Sequence, residues 1–156
     1  MRRFLIVFAV VANLVLVDAA VKEIAAGCLK GAAAIVVIPS SFNLAYVENR
    51  GCAWGMFQGQ VWPLAVFGLL ALAFLVWKRR SVFGENRLSL IAEPLLYAGI
   101  IGNIIDRLYR GYVIDMFDFH FGSSHFPCFN VADTLICVSV GLLLLGSFAG
   151  ERKPRG

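Results

Sequence analysis

Of five aspartates, Asp18, Asp106 and Asp133 stand inside or beside long apolar runs, and Asp115 and Asp118 stand in a short apolar and aromatic segment between two of them. In lipid an aspartate near mid-span costs about 2.5–3.5 kcal/mol, less near an interface, so each needs a partner or a function. Asp115 and Asp133 approach the same depth, one within the outer segment 106–130 and one just past its end. Two carboxylates sharing one site cannot both ionise. At about 4 Å and an effective dielectric of about 20 their repulsion is about 4 kcal/mol, which raises one pKa by about three units. Such a pair holds one proton near neutral pH. The carboxylate can take a proton from water; the acid can hydrogen-bond a peptide carbonyl and later protonate the leaving amine.

The elements that must position these acids follow from composition. Of 156 residues, 60% are apolar and 15% charged, with a net charge of +4 and a mean hydropathy of +0.78. Soluble domains carry about 45–50% apolar and about 25% charged residues, so the composition points away from an ordinary soluble globule and excludes a disordered chain. The positive balance suits anionic lipid headgroups rather than nucleic acid. Four apolar runs, Phe4–Val21, Val61–Trp77, Leu88–Ile105 and Val131–Phe148, hold 17 or 18 residues each. At about 1.5 Å per residue each approaches the hydrocarbon thickness of about 30 Å. The first carries Asn13 and Asp18; the third carries Glu93 and Asn103.

Nine of the 14 basic residues fall near the two termini and in the segment 78–87. The positive-inside rule then puts both termini and that short loop, read as an orientation signal, in the cytoplasm. Residues 22–60 and 106–130 face outward. Arg2-Arg3, the first run and Ala19-Ala20 also fit a cleavable signal peptide, but cleavage would put the termini on opposite sides, against the charge distribution. No repeat or linker divides the chain, and residues 1–156 read as a single domain. In the first outer loop, Ile35–Ile38 and Phe42–Val47 are β-branched and aromatic runs separated by Pro39-Ser40-Ser41. They predict a small antiparallel sheet at the membrane surface, wet on one face.

Each polar cluster also has a plain structural reading. Asp18 and Lys22, four apart, fit an interfacial helical ion pair with Lys22 snorkelling. Asn103 and Arg107 share a helical face, with Asp106 between them at a helix end. If 111–119 is extended, Asp115 and Asp118 face opposite sides and only one reaches a shared site. Asn130 and Asp133 have capping-box spacing. His120, His125 and Cys128 have no recognised zinc spacing, and Ser40, Ser41, Ser123 and Ser124 have no matching lysine. Among Cys28, Cys52, Cys128 and Cys137 no pairing is specified. An ion or proton path in a transporter subunit would spread its acids through the membrane; these map to the outer side.

The chain resembles the lipoprotein signal peptidases, also called type II signal peptidases, over nearly its whole length. Asp18-x-x-x-Lys22 resembles a feature of the family's first helix. Asn49-Arg50-Gly51-Cys52-Ala53-Trp54 resembles Asn-x-Gly-Ala-Ala-Phe. Gly102-Asn103-Ile104-Ile105-Asp106-Arg107 matches Gly-Asn-x-x-Asp-Arg, Gly111-Tyr112-Val113-Ile114-Asp115 matches Gly-x-Val-x-Asp, and Phe129-Asn130-Val131-Ala132-Asp133 matches Phe-Asn-x-Ala-Asp. Cys52, Trp54, Met116 and Ser139 depart from the family's usual Ala, Phe, Phe and Gly. The resemblance implies an α-helical polytopic membrane protein of the bacterial inner membrane, with four transmembrane helices and a small extracytoplasmic β-cradle. It implies Asp115 and Asp133 as catalytic residues and Asn49, Asn103, Arg107 and Asn130 as polar supports around the substrate backbone. Gly51, Asp18 and Lys22 belong with these supports, and Asp106 and Ala132 are structural neighbours. The implied substrate is a prolipoprotein carrying a diacylglyceryl group on its Cys, cleaved before that Cys. No metal, cofactor or nucleic acid is expected, and the protein should act as a monomer among membrane lipids.

Overall fold

A computed structural model describes residues 2–84, 86–122 and 124–151. The basic tail residues Arg152, Lys153 and Arg155, together with Glu85 and Ser123, lie outside the described residues. The elements run α1 (Arg2–Leu29), β1 (Ile35–Ile38), β2 (Phe42–Asn49), α2 (Val61–Trp77), α3 (Arg79–Phe83), α4 (Arg87–Arg110), β3 (Val113–Phe121), β4 (Ser124–His125) and α5 (Val131–Glu151), with a 3₁₀ turn at Ala53–Gly55. Among the described residues α1, α4 and α5 are long and apolar enough to cross a membrane, and α2 is a shorter apolar helix.

Helix α4 is central. It packs against α1, α2 and α5, most extensively against α5. Glycines let the helices close: a Cβ on Gly102 would lie 2.5 Å from Asp18 Oδ2 and 3.3 Å from Ala132 Cβ. Ser139, buried on α5, donates to the Ala92 carbonyl of α4 at 2.7 Å, so the departure from the usual glycine becomes an interhelical hydrogen bond. Gly102→Val should therefore lower stability by about 1–3 kcal/mol through overpacking. Gly141→Ala, where an added Cβ meets nothing within 4 Å, is its control. Thermal unfolding in detergent checks this, and equal losses in the two variants would contradict it.

Three helices outrun their expected spans, α5 by three residues to Glu151. α1 continues to Leu29 because Ala25 and Ala26 favour helix and because Ala25 and Leu29 bury against Ile114 and Met116. α4 continues to Arg110, where Gly111 at φ 76° closes it in the left-handed conformation. Asp106 and Arg107 are thus helical rather than part of a loop.

The antiparallel sheet, ordered β1-β2-β3-β4, corrects the expectation that residues 22–60 build it alone: half of its strands come from 113–125. β2 pairs with β3 so that Val47 faces Asp115 and Asn43 faces Asp118, with a register shift between Leu44 and Val47. β1 also departs from a one-sided strand, since all four of its apolar residues are exposed.

The basic segment 78–87, read from sequence as an orientation signal, also supplies contacts to the helices. Glu93, 0% exposed, accepts from Arg3 at 2.9 Å and from Arg79. Phe83 is buried against Leu96 and Tyr97. A buried carboxylate needs such partners.

Candidate active site

α4, β3 and the start of α5 converge at one end of the bundle. Asn130 precedes α5, and its Oδ1 accepts from the Asp133 N–H at 2.9 Å while Asp133 Oδ2 accepts from the Asn130 N–H at 3.2 Å. This is a reciprocal capping box. The same Asn130 donates through Nδ2 to Asp115 Oδ1 at 2.7 Å and to Asn103 Oδ1 at 3.3 Å. Asn103 donates to Asp133 Oδ1 at 2.7 Å. Asn130 is therefore both the cap of α5 and a hydrogen-bond partner of Asp115 and Asn103.

Asp115, 1% exposed, also accepts from Asn49 Nδ2 at 2.9 Å. Asn49 Oδ1 in turn accepts from the Gly51 N–H at 2.9 Å. Gly51 has no room for a side chain, because a Cβ would lie 2.5 Å from the Met56 carbonyl. Arg107 donates to the Gly51 carbonyl at 2.9 Å and to the Asn103 carbonyl at 3.2 Å, tying the 49–52 turn to α4. Burial, and then the charge of Asp133, push the Asp115 carboxyl up to about 7 against the hydrogen bonds from Asn49 and Asn130.

Beneath lies a charged layer. Lys22, 0% exposed, sits 2.8 Å from Asp18 and 2.9 Å from Asp106, and donates to Asn103 at 3.4 Å. It does not snorkel, as an interfacial pair would; three helix-borne partners hold it in the interior. Asp18 accepts from the Ala132 N–H at 2.9 Å. Asp106 accepts from Arg110 at 3.1 Å and from the Ile114 N–H at 3.3 Å.

Every expected site residue thus joins one connected network. Asp118 stands apart: it accepts from Asn43 at 3.2 Å and contacts His125 at 3.1 Å, as strand alternation requires. Asn43 is not legible as a partner from sequence, because only the β2–β3 register brings it there. His120 and His125 stack at 5.2 Å. Among the described residues no group of three or more His, Cys, Asp or Glu is arranged to hold a metal ion, and all four cysteines are free. A 420 Å³ cavity beside the network contains Asp115 and Asp133 among its lining residues, together with Val113, Ile136 and Val138.

The chain is similar to known proteins over most of its length. The family described as Signal peptidase (SPase) II matches residues 10–149. A lipoprotein signal peptidase of Shewanella loihica is 45% identical over 74% of this chain and 70% of its own length. One of Syntrophotalea carbinolica is 38% identical over 94% and 92%. A solved bacterial membrane enzyme superposes with a TM-score of 0.84 at 29% identity, covering 96% of this chain and 93% of that one. The protein is a bacterial membrane protein, and its chain belongs to the signal peptidase II family.

Proposed function

We propose that the protein is a membrane aspartic endopeptidase that removes the signal peptide from diacylglyceryl-modified prolipoproteins, cleaving before the lipidated Cys. The observation that carries this is Asn130, which joins Asp115 and Asp133 at the first turn of an apolar helix. Asp115 holds the proton and hydrogen-bonds the scissile carbonyl oxygen. Asp133 takes a proton from water, whose oxygen attacks the carbonyl carbon. Collapse of the tetrahedral species breaks the C–N bond as a proton passes to the amine of the lipidated Cys. Asn49, Asn103, Arg107 and Asn130 hold the carboxylates and the turn around the substrate backbone. No metal or cofactor enters this chemistry.

In this reading residues 1–156 form one domain, with α1, α2, α4 and α5 crossing the inner membrane. Both termini are cytoplasmic, and the sheet and the aspartates lie on the outer side. The clustering of basic residues supports that orientation, and completion of the site within one chain supports action as a monomer. The test is cleavage of a diacylglyceryl-modified prolipoprotein by purified protein in detergent with excess EDTA. A folded protein that leaves it intact, or that cleaves only after EDTA is removed, would overturn this reading.

Activity should depend on pH accordingly. Above about 7 the Asp115 carboxyl loses its proton, so kcat/KM should fall about tenfold per pH unit there. Asn49→Ala removes a hydrogen bond that favours the carboxylate, so the alkaline limb should move to higher pH. An unmoved limb would separate Asp115 from the titrating acid.

A further inference from the structure

A second cavity, of 480 Å³, lies beside the first. The two share Asn49, Cys52, Trp54, Asp115 and Phe126 among their lining residues. Their far ends differ. The first cavity continues along α5, past Ile136 and Val138. The second is lined entirely by residues of β2, β3, β4 and their loops, none on an apolar helix. Trp54 and Phe126, edge to face at 5.9 Å, connect the 3₁₀ turn and the β4 segment where the cavities meet. Asp115 is among the residues common to both cavities.

A signal peptide is apolar and precedes the cleaved bond; the polypeptide after the bond lies in water. Polarity therefore assigns the first cavity to the signal-peptide side and the second to the polypeptide on the other side of the bond. Glu48, Asp115 and Asp118 line the second cavity, with His125, and neither Lys nor Arg does so among the described residues. Lys30 and Arg50 reach Glu48, at 3.3 and 3.5 Å, without lining it. Against the opposing pull of burial, hydrogen bonds hold both Glu48 and Asp118 below the usual carboxylate range, so both are charged at neutral pH.

We propose that this second cavity binds the polar segment immediately after the lipidated Cys and selects against acidic residues there. The inference rests on the proposed peptidase activity and names a specificity of that same site. The test compares three lipidated substrates, with Lys-Lys, Ser-Ser or Asp-Asp at the second and third positions after that Cys. For the wild-type protein kcat/KM should fall in that order, by about five- to tenfold from Lys to Asp, as expected for partly exposed charge pairs. In Glu48→Gln/Asp118→Asn the Lys-to-Asp ratio should collapse towards one. The ratio is internal to each protein, so loss of folded enzyme cancels. Equal kcat/KM for the three substrates in the wild type, or an unchanged ratio in the variant, would overturn the inference. No cleavage of any of the three would overturn the peptidase reading and this inference with it.

Discussion

Asp115→Asn and Asp133→Asn should each abolish cleavage of a lipidated prolipoprotein while leaving a folded protein. Asn keeps the shape of Asp but can neither take a proton from water nor pass one to the leaving amine. Losing one acid–base partner costs about 10²–10⁴-fold in rate, and the two carboxyls act as a unit, so the upper end is expected. Folding should survive because neither residue carries the ion pairs of the interior. Each carboxylate accepts through both oxygens, Asp115 from two amides and Asp133 from Asn103 and the Asn130 N–H; Asn keeps one acceptor and loses the other bond, at a cost of about 1–3 kcal/mol. Turnover is read by the release of signal peptide, and folding by the unfolding midpoint in detergent. Substantial turnover in either variant would sink the dyad. A lost midpoint in both would make these residues structural.

Lys22→Met should be the most destabilising single change. Its ammonium neutralises Asp18 and Asp106 at 2.8 and 2.9 Å. Removing it leaves two buried carboxylates facing each other, at a cost of about 3–5 kcal/mol. Asp106→Asn removes the opposite partner and should also act on stability, with the remaining folded fraction active. A stable, wholly inactive Asp106→Asn would contradict the division between the charged layer and the reacting pair. Wild-type stability in Lys22→Met would mean that the layer is not needed to hold α1 against α4.

The aspartates, the helix-face and capping neighbours of some of them, and the apolar helices were legible because their signals are local. Apolar runs of bilayer length read as helices whatever surrounds them, and α2 matches its expected limits, Val61–Trp77. Asn130 and Asp133 carry capping-box spacing within four residues. Asn103 and Arg107 share a helix face by periodicity alone, and alternation along β3 separates Asp115 from Asp118.

Local pattern could not supply the environment of each charge or the pairing of distant segments. Asp18 and Lys22 have the same spacing whether at an interface or in the interior. Only the approach of α4, close because Gly102 has no side chain, brings Asp106 to Lys22 and makes the trio a buried layer. Glu93 reads as a defect in a span until Arg3 and Arg79 reach it from two other segments. The sheet borrows β3 and β4 from a segment far along the chain from β2, in a register set by long-range pairing that neither strand encodes alone. The sequence by itself singled out the polar residues that one network joins and the four apolar segments that are helical, since both signals depend on near neighbours. Tertiary structure decided which charges are buried, which strands pair and where the two cavities meet, since these depend on desolvation and contact between segments far apart in the chain.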